Sequence, residues 1–167
     1  MCIRIPLTKG KFARFDDCDA ALAKTSWYFH TGGYAARKPY KGSHEYLHRT
    51  IAARLLGRAL QPGEVVDHIN GDQLDNRRQN IRITSHAKNL QNQHRRSDNQ
   101  SGYKGVRYNR WTKGLRFRWS AEIKADGIRH YLGYFQTAIA AAEAYDDAAR
   151  RLHGKFARLN FPDSVSA

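Results

Sequence analysis

The stretch from Val65 to His94 (VVDHINGDQLDNRRQNIRITSHAKNLQNQH) constrains the fold of this chain more than any other part of the sequence. It opens with a short apolar run that ends in an adjacent acid and imidazole, Asp67 and His68. A turn-forming segment rich in Asn, Asp and Gly follows, and then the alternating run NIRIT. Ser85 is suited to cap a helix that carries Asn89. The pattern therefore predicts a strand, a loop, a second strand and a helix.

Several side chains of this stretch suit metal-ion and proton chemistry. The carboxylate of Asp67 and the amide oxygen of Asn89 would form a hard, oxygen-rich site for Mg²⁺. The imidazole of His68 would be free to accept a proton. Two other interpretations stay open: an Asp-His pair at a strand end can be a solvated turn or a structural pair, and loop Asn and Asp can simply form turns. A calcium loop of the EF-hand type is excluded, because Ile69 and Gly71 stand where oxygen ligands are needed.

The ordered frame D-H-I-N-G-D, D-N-R and N-I-R resembles the HNH endonuclease family, in the branch found in phage and intron-encoded homing-type nucleases. The resemblance covers roughly Tyr46 to Gln93. It implies that His68 is the general base that activates the attacking water and that Asp67 ligates the metal ion. It also implies that Asn80 bonds the backbone and holds the loop, so that the imidazole points at the phosphate. Asn89 stands where many members carry a final histidine, as in the H-N-N branch, in which asparagine ligates the metal ion.

The same resemblance implies a ββα-metal nuclease core and a divalent cofactor, Mg²⁺ or another such as Mn²⁺. With few protein ligands, water and phosphate oxygens would complete the coordination shell. Ahead of this core, residues 1–45 carry strand signals. The runs IRI and KFARF alternate, and the runs SWYFH and YAAR flank the hairpin turn Thr31-Gly32-Gly33. The sequence therefore predicts N-terminal β-hairpins that brace the core.

The segment from Tyr46 to Leu56 is predicted to be a helix, with Leu47, Ile51 and Leu55 on one face. The helix also carries His48, which we interpret as a structural residue, although a direct role stays open.

Beyond a segment of linker composition, residues 97–102, the pattern changes. Three strand-like runs, Tyr103–Tyr108, Phe117–Lys124 and Ile128–Phe135, precede an alanine-rich helix from Thr137 to Leu152. Small side chains on one face of that helix allow it to lie close to a thin three-stranded sheet, which needs such support for stability. The prediction includes these residues on the packed face: Ala138, Ala141, Ala142, Tyr145, Ala148, Ala149 and Leu152.

From Gly102 to Pro162, the motifs YKGVR, WSAEI, HYLGYF, TAIAAAEAYDDAA and LNFP resemble the plant ethylene-response-factor (APETALA-two type) DNA-binding domain. That family lays its sheet in the major groove and reads bases with Arg and Trp. Where arginine and tryptophan are usual, this chain has Asn and Tyr, so its base preference does not follow from the family. Trp119, Tyr134 and Phe135 are predicted to pack in the small core instead. The resemblance places these residues at contact positions: Arg107, Asn109, Trp111, Glu122, Lys124, Arg129 and Tyr131.

The composition favours a polyanionic partner and says nothing about the fold. The 167 residues include 29 Lys and Arg against 15 Asp and Glu, with a pI near 10.1. Both halves are basic: residues 1–102 have 17 basic and 9 acidic residues, and residues 103–162 have 12 and 5. No apolar run approaches the ~20 residues of a membrane span, and MCIRIPLTKGKF lacks the apolar core of a signal peptide. Cys2 and Cys18 form no zinc motif and are predicted to be free thiols in a reducing compartment.

These observations predict an α+β protein with two modules. A nuclease module would span residues 1–96, with strands over 1–45 and the core over about 46–96; a linker (97–102), a DNA-binding domain (103–162) and a tail (163–167) would follow. The predicted function is a homing-type, metal-dependent DNA endonuclease or nickase. Its partner would be double-stranded DNA, and it would not bind a membrane. The protein is expected to act as a monomer rather than an oligomer inside a bacterial host and to be encoded by a phage or mobile element. The alternative is a non-catalytic, sequence-specific DNA-binding regulator. RNA suits a sheet reader less well, because its major groove is narrow.

Overall fold

The computed structural model describes residues 1–92, 99–110 and 118–162. The chain divides into two compact units, Met1–Asn89 and Leu90–Ala167. Each unit combines short antiparallel strands with helical segments, so the predicted α+β class is confirmed. Among the residues described, none of the helices has the length and apolar character needed to cross a bilayer.

The N-terminal unit begins with two small sheets. Strands β1 (Cys2–Pro6) and β2 (Phe12–Asp16) pair antiparallel. Strands β3 (Tyr28–Phe29), β4 (Ala35–Arg37) and β5 (Glu45–Tyr46) form a three-stranded antiparallel sheet in the order β3-β4-β5. The predicted strands and hairpin are confirmed, although β3 and β4 are shorter than the sequence pattern indicates. The buried residues of the hydrophobic core in this unit are Ile5, Leu7, Ala13, Phe15, Leu22, Trp27, Ala35, Leu47, Ile51, Ala52, Val66 and Ile81.

Helix α1 (Leu47–Leu56) confirms the predicted helix and packs two of its three predicted core residues. Leu47 and Ile51 are fully buried, but Leu55 is 44% exposed. The buried residues Leu47, His48, Ile51 and Ala52 all lie in the first two turns of the helix. Leu55 faces the same side, because eight residues turn a helix by about 80° beyond two full turns, but it lies in the last turn, none of whose residues is buried.

The central stretch forms a hairpin followed by a helix, in the order that the sequence predicts. Strands β6 (Glu64–His68) and β7 (Ile81–Ser85) pair antiparallel, and helix α2 (His86–Asn92) follows at once. Ser85 Oγ accepts a hydrogen bond from the backbone N–H of Lys88 at 3.4 Å, which is a helix-capping contact.

The C-terminal unit is a three-stranded antiparallel sheet with a helix packed on it. Strands β8 (Val106–Tyr108), β9 (Trp119–Ala125) and β10 (Ile128–Phe135) lie in the order β8-β9-β10. Helix α3 (Ala138–His153) begins after Thr137, whose Oγ1 accepts the N–H of Ala140 at 3.1 Å, as predicted. Phe117, the predicted start of the second strand, lies outside the described residues.

The first strand of this sheet is shorter than predicted, because the residues before it form turns. β8 begins at Val106 rather than at Tyr103. Gly105 has φ +74, and a Cβ there would overlap the ring of Tyr145 on α3. Glycine therefore allows the helix and the sheet to approach closely at this point.

Helix α3 packs its small residues on the sheet, with one correction at its end. Leu152, predicted on the packed face, is 42% exposed, and His153 is buried in its place. His153 lies four residues after Ala149 and continues the buried stripe, whereas Leu152, which helix geometry also places on that side, is exposed in the last turn of α3. The His153 Nε2 atom lies 3.0 Å from the backbone oxygen of Lys124 on β9.

A second correction concerns Tyr134, which the sequence pattern places in the core. Its side chain is 55% exposed. A β-bulge between Tyr131 and Gly133 inserts one extra residue, with Gly133 at φ +117, and this reverses the inward and outward alternation beyond it. Trp119 and Phe135 pack against the small core, as predicted.

The predicted linker, residues 97–102, is described only from Asn99 onward. Asn99 Oδ1 accepts the backbone N–H groups of Ser101 and Gly102 at 2.9 and 3.0 Å. Ser101 Oγ donates to the backbone oxygen of Val106 at 2.9 Å. Residues 99–102 therefore form a hydrogen-bonded turn against the start of β8.

Candidate functional site

The pair Asp67-His68 ends β6, where the hairpin opens into the loop 69–80. The strand register sets Asp67 opposite Arg82 and His68 opposite Ile81. Because neighbouring strand residues point to opposite faces, the carboxylate and the imidazole are presented on different sides of the hairpin. They are only 6% and 5% exposed, so both require polar partners.

Asn80 ties the two ends of the loop together. Its Oδ1 accepts the backbone N–H of Asn70 at 3.0 Å, and its Nδ2 donates to the backbone oxygen of Asp75 at 2.7 Å. The backbone N–H of Ile69 also donates to the backbone oxygen of Asn80 at 2.9 Å. Asn80 is 6% exposed, and its side chain replaces water for two backbone groups of the loop. This contact pattern is the one that a loop-holding residue requires.

Asp75 is the charged centre of the loop and is fully buried. Its carboxylate accepts two bonds from Arg77 at 2.8 Å, accepts one from Asn70 Nδ2 at 3.0 Å, and lies 3.1 Å from Arg14 Nη2. The bidentate bond from Arg77 lowers the pKa of Asp75 from 3.8 to about 2, and Arg14 adds to this lowering. Arg14 belongs to β2, so the ionised carboxylate of Asp75 links the loop to the first hairpin.

The ring of His68 contacts a second asparagine, Asn76. His68 Nε2 lies 3.3 Å from Asn76 Oδ1. Burial lowers the pKa of the His68 imidazole below its ordinary value, whereas the Asn76 contact and the carboxylates of Asp67, Asp72 and Asp75 partly oppose this lowering. A lowered pKa leaves the ring neutral at neutral pH, and the neutral form is the one that can accept a proton.

A row of aromatic rings and imidazoles continues from His68. The ring centroid of His48 lies 5.4 Å from that of His68, and Tyr34 lies 4.6 Å from His48. His48 is buried, and burial, with the nearby His68 and Arg49, lowers its pKa to about 3. Its Nδ1 has no hydrogen-bond partner within the described part of the chain. His48 is therefore a neutral imidazole held against His68.

A cavity of about 300 Å³ lies beside these rings. Asn89, the predicted metal ligand on α2, lines it together with Val65 and Val66, the two residues that precede Asp67 on β6. The remaining lining residues are His30, Gly32, Tyr34, Tyr46, His48 and Arg49.

The atoms available to a metal ion at this hairpin are oxygens. Asp67 Oδ2 is held by Arg82, with Nε at 2.7 Å and Nη2 at 2.6 Å. In the described ranges, no group of three or more His, Cys, Asp or Glu side chains could hold a metal ion. A carboxylate and the amide of Asn89 are hard donors that suit Mg²⁺, a cation that retains several waters when it binds. In chemical type these donors suit such an ion; in the structure Asn89 lines the cavity, and the Asp67 carboxylate contacts Arg82.

The outer face of the C-terminal sheet is basic and exposed. Lys124 lies directly opposite Arg129 across β9 and β10. Like charges in this arrangement repel each other, and an anion between them would remove the repulsion. Glu122 partly screens the face, with Arg129 Nη1 at 3.5 Å and Arg107 Nη2 at 4.0 Å. Of the predicted contact residues, the structure brings together on this face Arg107, Glu122, Lys124, Arg129 and Tyr131.

Two predicted contact residues differ from this group. Asn109 is half-buried, and its backbone N–H donates to the backbone oxygen of Arg118 at 2.8 Å, so it continues the strand pairing beyond β8. Trp111 lies outside the described residues. The bulge adds Tyr134, which was predicted to lie in the core, to this face: it lies beside Tyr131, with ring centroids 5.5 Å apart.

Three residues of the hairpin site have no role predicted from the sequence: Asp75, Asn76 and Arg82. Asp75 and Asn76 belong to the D-N-R triplet of the family frame, but in a loop rich in Asn and Gly they look like turn formers. Arg82 had a usable signal, because pairing NIRIT against EVVDH places it opposite Asp67.

Comparison with known proteins bears on both units. Residues 45–91 match the family model for the HNH endonuclease. The predicted resemblance over roughly Tyr46 to Gln93 is therefore confirmed.

The chain is also similar to plant transcription factors. It is 49% identical over 65 residues to Dehydration-responsive element-binding protein 2D of Arabidopsis thaliana, covering 38% of this chain and 29% of the relative. It is 54% identical over 63 residues to Ethylene-responsive transcription factor ERF084 of Arabidopsis thaliana, covering 36% and 22%. With Ethylene-responsive transcription factor ERN1 of Medicago truncatula, the identity is 39% over 95 residues, covering 56% and 34%. The predicted resemblance to the ethylene-response-factor family is thus confirmed, and the chain spans about a fifth to a third of the length of these relatives.

Proposed function

We propose that this chain is a metal-dependent DNA endonuclease or nickase of the HNH type, a phosphodiester hydrolase built on a ββα-metal core of β6, β7 and α2. One observation carries the proposal. A buried imidazole with a lowered pKa, His68, follows Asp67 at the end of a hairpin, inside the segment that matches the HNH endonuclease model. Buried titratable groups with perturbed pKa values concentrate at catalytic sites.

The proposed reaction is in-line attack of water on a DNA phosphate. His68 accepts the proton of the water as its oxygen bonds to phosphorus. The bond from phosphorus to the 3′ oxygen then breaks, and that oxygen takes a proton from solvent, which gives 5′-phosphate and 3′-hydroxyl products. Asn80 holds the two ends of the loop that follows His68, so the ring keeps one orientation during attack.

Asp67 and Asn89 would hold a divalent cation, Mg²⁺ or Mn²⁺, with water and phosphate oxygens as the remaining ligands. Bound there, the cation would supply positive charge to the phosphate and the leaving oxygen. Arg82 orients the Asp67 carboxylate through its two contacts and places a second positive charge at the same site.

The C-terminal sheet is proposed to bind double-stranded DNA with its basic outer face. Exposed Arg and Lys suit phosphate and base-edge contact in the major groove. The proposed organisation is a nuclease module over residues 1–96 and a DNA-binding domain over 103–162, joined by 97–102, acting as a monomer on one duplex. The contact residues would be Arg107, Asn109, Trp111, Glu122, Lys124, Arg129 and Tyr131.

The direct test is a cleavage assay on supercoiled plasmid with purified full chain, in Mg²⁺ and in EDTA. We expect nicked or linear plasmid in Mg²⁺ and none in EDTA. His68→Ala, assayed beside the wild type, excludes a contaminating nuclease, because a contaminant would survive the substitution. Equal cleavage by the wild-type and variant preparations would contradict the assignment of His68 as the general base.

A second candidate, a non-catalytic DNA-binding regulator, is supported by the relatives named as transcription factors. It predicts that the chain selects a DNA sequence in a binding-site selection experiment, yet leaves DNA intact with Mg²⁺, Mn²⁺ or other divalent ions. Cleavage that requires His68 would reject this candidate.

A further inference from the structure

Asn76 occupies a special place in the loop between β6 and β7, because its side-chain amide bridges the His68 ring and a backbone carbonyl. The residue is 1% exposed. Its Nδ2 donates to the backbone oxygen of Leu74 at 3.0 Å, and its Oδ1 lies 3.3 Å from His68 Nε2. Both ends of the amide are therefore engaged inside the protein.

The backbone around Asn76 is anchored to the first hairpin. The backbone N–H of Asn76 donates to the backbone oxygen of Arg14 at 2.7 Å, and the N–H of Arg14 donates to the backbone oxygen of Leu74 at 2.9 Å. The carbonyl of Leu74 thus accepts from both Arg14 and the Asn76 side chain. Because Arg14 belongs to a paired strand and Asn76 is buried, the amide has little freedom to move.

The chemistry of these partners determines which way the amide faces. A carbonyl oxygen can only accept hydrogen bonds, so the –NH₂ end of Asn76 must face Leu74. The oxygen end then faces His68, and an acceptor opposite Nε2 requires a proton on that nitrogen. In the neutral ring only one nitrogen carries a proton, so the lone pair lies on Nδ1.

We propose that Asn76 is a positioning residue that holds His68 in the Nε2–H tautomer and thereby makes Nδ1 the atom that accepts the proton of the attacking water. The inference rests on the proposed function, in which His68 is the base. It gives Asn76 a role distinct from that of Asn80, whose side chain bonds the backbone of Asn70 and Asp75 in the loop. Neighbouring Asp67 is engaged with Arg82 on the other face of the hairpin.

The tautomer can be measured directly on the full-length wild-type protein. In a long-range ¹H–¹⁵N spectrum of the neutral rings, a protonated nitrogen and a lone-pair nitrogen have well-separated shifts. The spectrum of His68→Gln identifies the signals of His68 among the eight histidines. We expect Nε2 to be the protonated nitrogen of His68. A protonated Nδ1 in the wild-type protein would overturn the inference without any variant at Asn76.

Two variants connect the tautomer to cleavage. Asn76→Leu removes the oxygen acceptor at similar volume, so the His68 signals should show a mixture of tautomers, and kcat should fall roughly 10- to 100-fold with KM for DNA little changed. Asn76→Asp keeps an acceptor opposite Nε2 but loses the amide donor to the Leu74 carbonyl, so it should retain the tautomer and recover most of the lost kcat while the protein becomes less stable. Failure of Asn76→Leu to fold would leave the comparison to wild type and Asn76→Asp, in which loss of the Nε2–H form without loss of kcat would refute the role.

Failure of this inference and failure of the proposed function can be told apart. A wild-type chain that does not cleave DNA in any divalent ion overturns the endonuclease assignment, and the role of Asn76 in proton transfer fails with it. A wild-type chain that cleaves DNA while His68 carries its proton on Nδ1, or whose Asn76→Leu variant keeps full kcat, overturns the inference alone.

Discussion

Two polar regions of this protein, the loop 69–80 and the outer face of the C-terminal sheet, differ in how far their charged side chains are exposed to solvent. In the loop, the Asp75 carboxylate is fully buried and bonded by Arg77 on two sides. On the sheet, the side chains of Arg107 and Arg129 are 72% and 68% exposed, and their ion pairs to Glu122 are 4.0 and 3.5 Å long. The charged centre of the loop is hydrogen-bonded inside the protein, whereas the charged side chains of the sheet face are available to bind DNA.

The difference separates chemistry from binding. A buried network fixes the orientation of a reacting group and alters its pKa, but each member then contributes to folding as well. An exposed basic face contributes little to stability, because surface ion pairs are worth only about 0–1 kcal/mol. Substitutions in the loop should therefore affect rate and stability, and substitutions on the sheet should affect DNA affinity.

The largest effect is expected from His68→Ala. Loss of general-base catalysis typically lowers a rate by ~10² to 10⁴-fold, and DNA affinity should stay the same because His68 is buried and is not one of the exposed basic residues. Single-turnover cleavage and a gel-shift titration measure the two quantities. His44→Ala, which removes an exposed imidazole from the same unit, is the matched control and should cleave normally. If His68→Ala lost affinity rather than rate, the division between loop and sheet would be wrong.

Asn80→Ala should affect both properties of the loop. It leaves the backbone N–H of Asn70 and the backbone oxygen of Asp75 without their side-chain partner, which should cost roughly 1–3 kcal/mol of unfolding free energy and also slow cleavage. Urea unfolding monitored by circular dichroism measures the stability. The exposed Gln61→Ala serves as a control. An unchanged stability together with weaker metal affinity would instead move Asn80 to the metal ion.

The elements of both regions could be predicted from local patterns, because such patterns report which face is buried. Alternation predicted β1, β2 and the β6–β7 hairpin, and helical spacing predicted α1 and α3. The errors arose where the periodicity is interrupted or where a helix ends. Tyr134 turns outward because of the bulge at Gly133, and Leu55 and Leu152 lie in the last turns of α1 and α3.

The candidate site was harder to predict from sequence than the fold. Asp67, His68 and Asn89 were proposed from the chemistry of their side chains, and together with Asn80 from a spacing that resembles a known family. The contacts of Asn76 and Asp75 depend on the tertiary fold. Asn76 contacts His68 only once the loop has closed, and Asp75 contacts Arg14, which is distant in the chain. Propensity describes such residues as turn formers, since it carries no information about what a buried side chain bonds.

Acid should weaken the loop network through Asp75. Its pKa is lowered from 3.8 to about 2 in the folded protein, so its stabilising contribution is present above 3.8 and is lost as the pH falls towards about 2. A lowering of this size corresponds to roughly 2 kcal/mol at neutral pH. Asp75→Asn should therefore be less stable than wild type at neutral pH, and the difference should shrink on acidification. Glu122→Gln on the exposed face is the matched control, and an equal pH-dependent loss there would remove the distinction between the regions.

On the sheet, Arg107→Ala and Arg129→Ala should relax target preference. Each lost base-edge contact is expected to cost ~1–3 kcal/mol at one position of the site. The chemical step on saturating DNA and the melting temperature should be unchanged, because both side chains are exposed and their ion pairs are long. Cleavage-site mapping and single-turnover rates test this together. A variant that keeps full preference would show that the sheet face is not the reader.

The smallest effect is expected from Lys124→Ala. Lys124 is exposed and lies opposite Arg129, an arrangement that suits a phosphate between the two cations. Removing one phosphate contact should weaken binding to all sequences equally and reduce the slope of log K against log salt concentration by ~0.9. Arg151→Ala removes the same charge from the exposed side of α3, so its slope should stay near that of wild type. Because a phosphate contact carries no sequence information, the cleavage map of Lys124→Ala should match that of wild type. A changed map would make Lys124 a base reader, and a lower rate on saturating DNA would mean that the exposed face takes part in the chemistry after all.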